Sequence, residues 1–200
     1  MTTSWQLPEV EATGKSAVVR TGPSGVLLGR THKAQLFVRF FRPQGTRVFL
    51  GTPEYATWLV CFRAVALGAH FTIVSPATRQ WRPLAEAINR VGGTVELLDS
   101  PDKVPGGGRP YRPSFVLHVA EEDSQAITPG AWQTVAVVQD ISSSQAVQAL
   151  RSCDVALFGK TDAKAQENVR RAYVLNQVQI RQATDLTSSD VVLALSLIHI

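Results

Sequence analysis

The sequence predicts an α/β protein: a mostly parallel sheet between two helical layers, preceded by a β-hairpin. Three observations carry this. Residues 46–76 read as a strand, a long apolar helix and a second strand, the alternation repeats through residue 98, and short apolar runs divided by glycine come before it. Such alternation covers both faces of a parallel sheet with helices.

Residues 1–16 lack the basic and apolar blocks of a signal peptide and are expected to be an extended or disordered lead-in. Residues 17–43 form the expected hairpin. Its apolar runs, Ala17 to Val19 with Val26 to Leu28 and then Leu36 to Phe41, are divided by Gly22-Pro23-Ser24-Gly25 and by Gly29-Arg30-Thr31-His32-Lys33. The α/β domain is expected over residues 44–194.

Val48 to Leu50 is a strand stopped by Gly51, and Thr52-Pro53-Glu54 reads as an N-cap, a proline at the first helical position and a first-turn acid. From Tyr55 to Leu67 only Thr57 and Arg63 are polar, which predicts burial on more than one side and a surface suited to a partner. Gly68 stops the helix, and Phe71 to Val74 is the next strand. A membrane span over residues 55–74 is the rival reading. It would place Arg63 near mid-bilayer at about 2.5–3.5 kcal/mol, and Gly68-Ala69-His70 interrupts it.

Trp81, Leu84, Ala85, Ile88 and Val91 recur at helical spacing, giving a helix over Thr78 to Val91 that Gly92-Gly93 ends. Thr94 to Leu98 is a third strand. Asp99 to Pro113, with four prolines and Gly106-Gly107-Gly108, reads as a loop, either a lid or an insertion. Strands are expected at Ser114 to Val119, Thr134 to Val138 and Asp154 to Phe158, helices at Ser142 to Arg151 and Ala163 to Leu175, and a final strand within Thr187 to Leu195. Leu195 to Ile200 looks like a translated sequencing adapter, so residues 195–200 and His199 carry no functional weight and the natural chain is expected to be longer.

The 20 basic and 16 acidic residues give a net charge of +4 and a pI near 9.4. They are dispersed, so no nucleic acid is indicated as a partner. Cys61 and Cys153 stand alone in apolar surroundings and read as reduced core thiols of a cytoplasmic protein, with a disulfide as the alternative.

A dinucleotide loop needs G-x-G-x-x-G so that backbone can approach the pyrophosphate. The turn here is Gly51-Thr52-Pro53-Glu54-Tyr55-Ala56. Proline removes a donor, and Glu54 puts a carboxylate at the positive end of the helix. Two fragments of a Walker loop, Gly14-Lys15-Ser16 and Gly159-Lys160-Thr161, lack the first glycine, since Glu9 and Asp154 stand there. The four histidines, His32, His70, His118 and His199, form no metal motif. Glu121-Glu122-Asp123 is the best acid cluster, because it follows a strand end where open α/β sheets bind ligands. There is no G-x-S-x-G elbow.

Gly25-Val26-Leu27-Leu28-Gly29-Arg30, Val38-Arg39-Phe40-Phe41-Arg42-Pro43, Thr46-Arg47-Val48 and Arg63-Ala64-Val65-Ala66-Leu67-Gly68-Ala69 resemble actinobacterial type VII secretion proteins of the EccE-like kind. The layout of hairpin, strand and helix also resembles FtsK-type ATPases, in which a Walker loop stands where Gly51 to Tyr55 stands here. The resemblances imply a three-layer Rossmann-like or P-loop-like domain with a degenerate phosphate loop, no catalytic residue and no cofactor, whose partners are secretion-machinery subunits. An EccE-like protein would also carry membrane-anchoring helices, which this sequence lacks. The alternative is a nucleotide-binding protein or enzyme using Gly51, Thr52, Glu54 and Tyr55, with Arg79 or Arg82 as counter-charge.

Overall fold

The computed structural model describes residues 25–31, 34–119, 123–184, 186–187 and 189–195. The lead-in, the run Ala17 to Val19, the fragment Gly14-Lys15-Ser16, His32, Glu121, Glu122 and Ser196 to Ile200 lie outside them. The hairpin is β1 (Val26–Arg30) and β2 (Gln35–Val38), paired antiparallel. Then follow β3 (Thr46–Gly51), α1 (Glu54–Ala66), β4 (His70–Val74), α2 (Thr78–Arg90), β5 (Val95–Leu98), β6 (Ser114–Val119), β7 (Gln133–Val138), α3 (Ala146–Ser152), β8 (Val155–Phe158), α4 (Ala163–Tyr173), α5 (Gln177–Thr184) and β9 (Val192–Leu195). Strands β3 to β9 form one sheet in the order β5-β4-β6-β7-β3-β8-β9, parallel except for β9.

Alternation along β3 sets the layers. Val48 and Leu50 pack with Val60, Cys61 and Ala64 of α1 and with Leu84 and Ile88 of α2. Phe49 faces the other way, onto Ala149 and Leu150 of α3 and Ala165 and Val169 of α4. On that second face the β4, β6 and β7 portion is covered by connectors, with Val74, Val116, Val135 and Val137 packed against Ile127 and Val104.

The hairpin explains the apolar character of α1. Val26, Leu28, Phe40 and Phe41 pack in the same cluster as Trp58 and Phe62, so the helix lies between sheet, α2 and hairpin. Arg63, the polar interruption, donates to the Leu27 carbonyl at 2.5 Å and ties the two together. Glu54, Tyr55, Leu59 and the end of the helix remain exposed.

Several boundaries differ from expectation. Helix α1 begins at Glu54 with Pro53 as its N-cap, one residue later than the sequence signals imply. The Thr52 hydroxyl does not cap it, and lies 3.0 Å from the Thr57 hydroxyl instead. Helix α3 starts only at Ala146, because Asp140 takes Ser142 into a turn, accepting from its N–H at 2.9 Å and its hydroxyl at 2.6 Å. Helix α4 starts where expected, with the Asp162 carboxylate accepting from the Ala165 N–H at 2.7 Å.

The segment between β5 and β6 is tightly held. It contains a short 3-10 turn, Pro101–Lys103, and a closed turn in which Arg109 and Arg112 exchange backbone hydrogen bonds of 3.0 Å. Gln133 is wholly buried; it accepts from the Gly130 N–H at 2.9 Å and donates to the Pro105 carbonyl at 2.7 Å. Glycine is required where this segment crosses residues 129–132: a side chain on Gly130 would strike the Gly106 carbonyl, and one on Gly108 would lie 2.5 Å from the Trp132 carbonyl.

Candidate functional site

Strand order defines one crevice. Helix α1 leaves β3 onto the first face of the sheet, whereas α3 leaves β7 and α4 leaves β8 onto the second. The carboxyl ends of β7, β3 and β8 therefore form a switch point, the place where open α/β sheets take ligands. Gly51 ends β3 there, with its carbonyl accepting from the Gly159 N–H at 3.2 Å, and the Gln139 N–H reaches the Leu50 carbonyl at 3.4 Å.

Two solved structures share this fold. One is the pCW3 conjugation coupling protein TcpA, solved as a monomer with ATPγS: TM-score 0.58 at 8% identity, covering 86% of this chain and 63% of that one. The other is the genome packaging NTPase B204 of Sulfolobus turreted icosahedral virus 2, solved with AMPPCP: TM-score 0.50 at 9% identity, covering 76% of this chain and 93% of that one. The chain thus spans less than two thirds of the coupling protein's length. No protein-family profile and no curated protein matches the sequence. The α/β fold of this chain is the one these two structures share.

A phosphate cradle does not fit the residues present at the switch point. Only Thr52 and Pro53 separate β3 from α1, too short a connection for the wrap that G-x-x-x-x-G-K-S/T makes around phosphates. Pro53 has no N–H, and its carbonyl accepts from Ala56 at 3.0 Å and Thr57 at 3.2 Å. Its ring packs close to Gly159, where a Cβ would lie 3.0 Å from Pro53 Cδ. Glu54, exposed at the first helical position, sets a carboxylate at the positive helix end.

The other candidates disperse. Tyr55 is exposed on α1, and Arg79 and Arg82 are exposed in the first turns of α2, beyond β4 rather than at the crevice. Asp123, the one described member of the acid cluster, accepts from the Gln125 N–H at 2.8 Å. Lys160 alone stays near the crevice, exposed just past the carboxyl end of β8, with Gly159 between. Among the described residues no group of His, Cys, Asp or Glu could hold a metal ion.

His118, near the end of β6, is buried, and its Nδ1 has no partner. Burial holds its pKa below the ordinary imidazole value; the Arg47 charge adds to the shift and Asp123 opposes it. The nearly buried Arg47 donates to the carbonyls of Ser124 at 2.8 Å and Ile127 at 2.7 Å, strapping the β6–β7 connection under the sheet.

Three polar residues at the crevice escaped sequence reasoning: Gln139, Ser143 and Asn168. Asn168 donates to the Ile141 and Ser143 carbonyls at 3.0 and 2.9 Å, which fastens α4 to the end of β7. Gln139 Oε1 and Ser143 Oγ are buried without partners. The available signal was the polar run Gln139-Asp140 directly after an apolar strand, where the switch point falls.

Proposed function

We propose that this chain is a non-hydrolysing member of the P-loop NTPase fold that works by binding other proteins, as a cytoplasmic component of a secretion assembly. The observation that carries this is the β3–α1 connection, where a proline and a glutamate stand in place of donors and a positive charge. The type VII, EccE-like assignment rests on the sequence resemblance in the first half of the chain. Among the described residues no helix is long and apolar enough to cross a membrane. Tyr55 and Leu59, 53% and 41% exposed one turn apart on α1, present apolar surface that fits a protein contact.

A second reading draws on the nucleotide analogues bound to both structural neighbours: an unconventional site using Gly51, Thr52 and the backbone of Glu54 and Tyr55, with Arg79 or Arg82 as counter-charge. Thermal unfolding with and without ATP-Mg²⁺, GTP-Mg²⁺ and NAD(P) separates the two. Ligand at about 100 times its dissociation constant adds roughly 2.7 kcal/mol. The first reading expects no shift with any of them, together with weaker capture of secretion subunits by a Tyr55→Ala, Leu59→Ala variant that melts normally. A shift that Thr52→Ala abolishes would replace it with the second.

A further inference from the structure

The edge of the sheet opposite the crevice carries an unassigned surface. Parallel strands β3 to β8 all start there, and the crossover helices α1 to α4 all end there. Four exposed large apolar side chains lie along it: Leu67 after α1 (47% exposed), Val91 after α2 (69%), Tyr111 before β6 (75%) and Val174 after α4 (87%). Exposed arginines stand beside them: Arg90 next to Val91, Arg109 and Arg112 flanking Tyr111, Arg171 near Val174, and Arg151 between. Of the carboxylates near this edge, Asp154 is paired with Arg42, Glu96 lies 3.7 Å from His70, and Glu167, farther up α4, is paired with Arg170.

Helix-dipole compensation accounts for Arg90, Arg151 and Arg171, which end helices. It does not account for Arg109 and Arg112, which follow no helix, or for the apolar side chains. The Arg109–Arg112 turn is rigidly based, through buried Gln133 and the glycine crossings, yet its tip contributes nothing to the core. Val174 is a β-branched residue at φ 54°, a strained conformation, with its side chain in water.

We propose that this edge docks on an anionic lipid surface, with the arginines at the headgroups and Leu67, Val91, Tyr111 and Val174 dipping into the interface. Arginine and tyrosine suit the headgroup level, and aliphatic side chains gain by entering the acyl boundary. Apolar and basic groups are interspersed over an edge about 24 Å long, five inter-strand steps, rather than arranged as an apolar core with a polar rim, which disfavours a protein partner. Aliphatic side chains have no use on a phosphate–sugar backbone, which disfavours nucleic acid. The inference is independent of the crevice and goes beyond the proposed function.

Flotation of the full chain with phosphatidylcholine vesicles, with and without phosphatidylglycerol, tests it. The chain should float with the anionic vesicles only, and less as salt rises. Arg109→Ala with Arg112→Ala should lower partitioning about 25-fold, near fivefold per arginine. Val91→Ser and Tyr111→Ser should each lower it severalfold without changing the melting temperature, and Lys103→Ala, beyond β5 at the opposite edge, should leave it unchanged. No flotation, or unaltered flotation of the variants, overturns the proposal. So does sensitivity to the arginines with none to Val91 and Tyr111, which would mark a site for an acidic protein or a nucleic acid.

Discussion

Replacing Gln133 by leucine should destabilise the protein by about 3 kcal/mol, although the two side chains are close in size. The wholly buried Gln133 amide satisfies the Gly130 N–H at 2.9 Å and the Pro105 carbonyl at 2.7 Å. Leucine would leave both unpaired out of water, at about 1–3 kcal/mol each. Against this stands the gain of an apolar side chain in the same space, about 1–2 kcal/mol. Ser114, whose hydroxyl also meets the amide at 3.2 Å, can rotate to another partner. For a chain of this size the melting midpoint should fall by about 6–12 °C.

The same exchange at the other end of the strand supplies the control. Gln139 is also buried, but its Nε2 has only a 3.4 Å contact to Gln145 and its Oε1 has no partner. Gln139→Leu should therefore stay within about 1 kcal/mol of wild type, or exceed it, because it removes an amide already poorly satisfied. Urea unfolding at constant m measures both. Hydrogen exchange should also quicken at Gly108 and Gly130 in the Gln133 variant alone. A loss below about 1 kcal/mol at Gln133, or equal losses at the two positions, would refute the claim that satisfied partners, not burial, set the cost.

The remaining predictions concern titration, thiols and the glycine crossing. His118 has a folded-state pKa below its unfolded value of 6.5, so its stabilising contribution is present above that value and is lost as pH falls toward the folded pKa. His118→Leu should flatten the loss of urea stability between about pH 7 and 5, and an unchanged pH profile would count against it. Burial raises the Cys61 thiol far above its ordinary pKa and pushes Cys153 up to about 12, so a disulfide-exchange reagent should titrate neither in the native protein and both after denaturation. Gly130→Ala should cost about 2 kcal/mol or more, since its methyl would meet the Gly106 carbonyl; a normal urea midpoint would show that this crossing yields easily.

Elements whose periodicity records their own packing were legible. Helix α2 keeps Leu84, Ala85 and Ile88 on one buried face, and β6 and β7 are apolar because connectors and helices cover both sides. The role of the apolar surface of α1 was not legible, because the hairpin that covers it lies earlier in the chain and nothing local distinguishes that cover from a partner. Helix α5 went unseen because Gln177–Thr184 has no apolar stripe; Val178 is 65% exposed. Strand order was hidden for a similar reason. Strands β6 and β7 are parallel neighbours with no helix among the described residues between them, so no alternation signalled that they separate β3 from β4. At the crevice the missing phosphate donors could be read from Pro53 and Glu54. The divergence of α1 from α3 and α4 that makes it a crevice could not.

The glycine at the end of β3 sharpens this reading of the crevice. Gly51 stands where a phosphate loop would begin, and its presence could be taken as the remnant of one. Its surroundings give another reason: a Cβ there would lie 3.0 Å from the Phe49 ring and 3.3 Å from Ile141, both in the core beneath α3 and α4. Gly159 has a parallel reason in the Pro53 ring. Both glycines thus sit in tight contact with side chains of the chain itself. The connection itself is the obstacle to a phosphate: with only Thr52 and Pro53 between β3 and α1, restoring a phosphate loop would take a longer connection, not merely a lysine. A crevice bordered by a proline ring and tight glycine contacts fits the proposed reading of a chain that works without a nucleotide. That agrees with a role carried by its surfaces, the exposed end of α1 and the basic edge, instead of by its switch point.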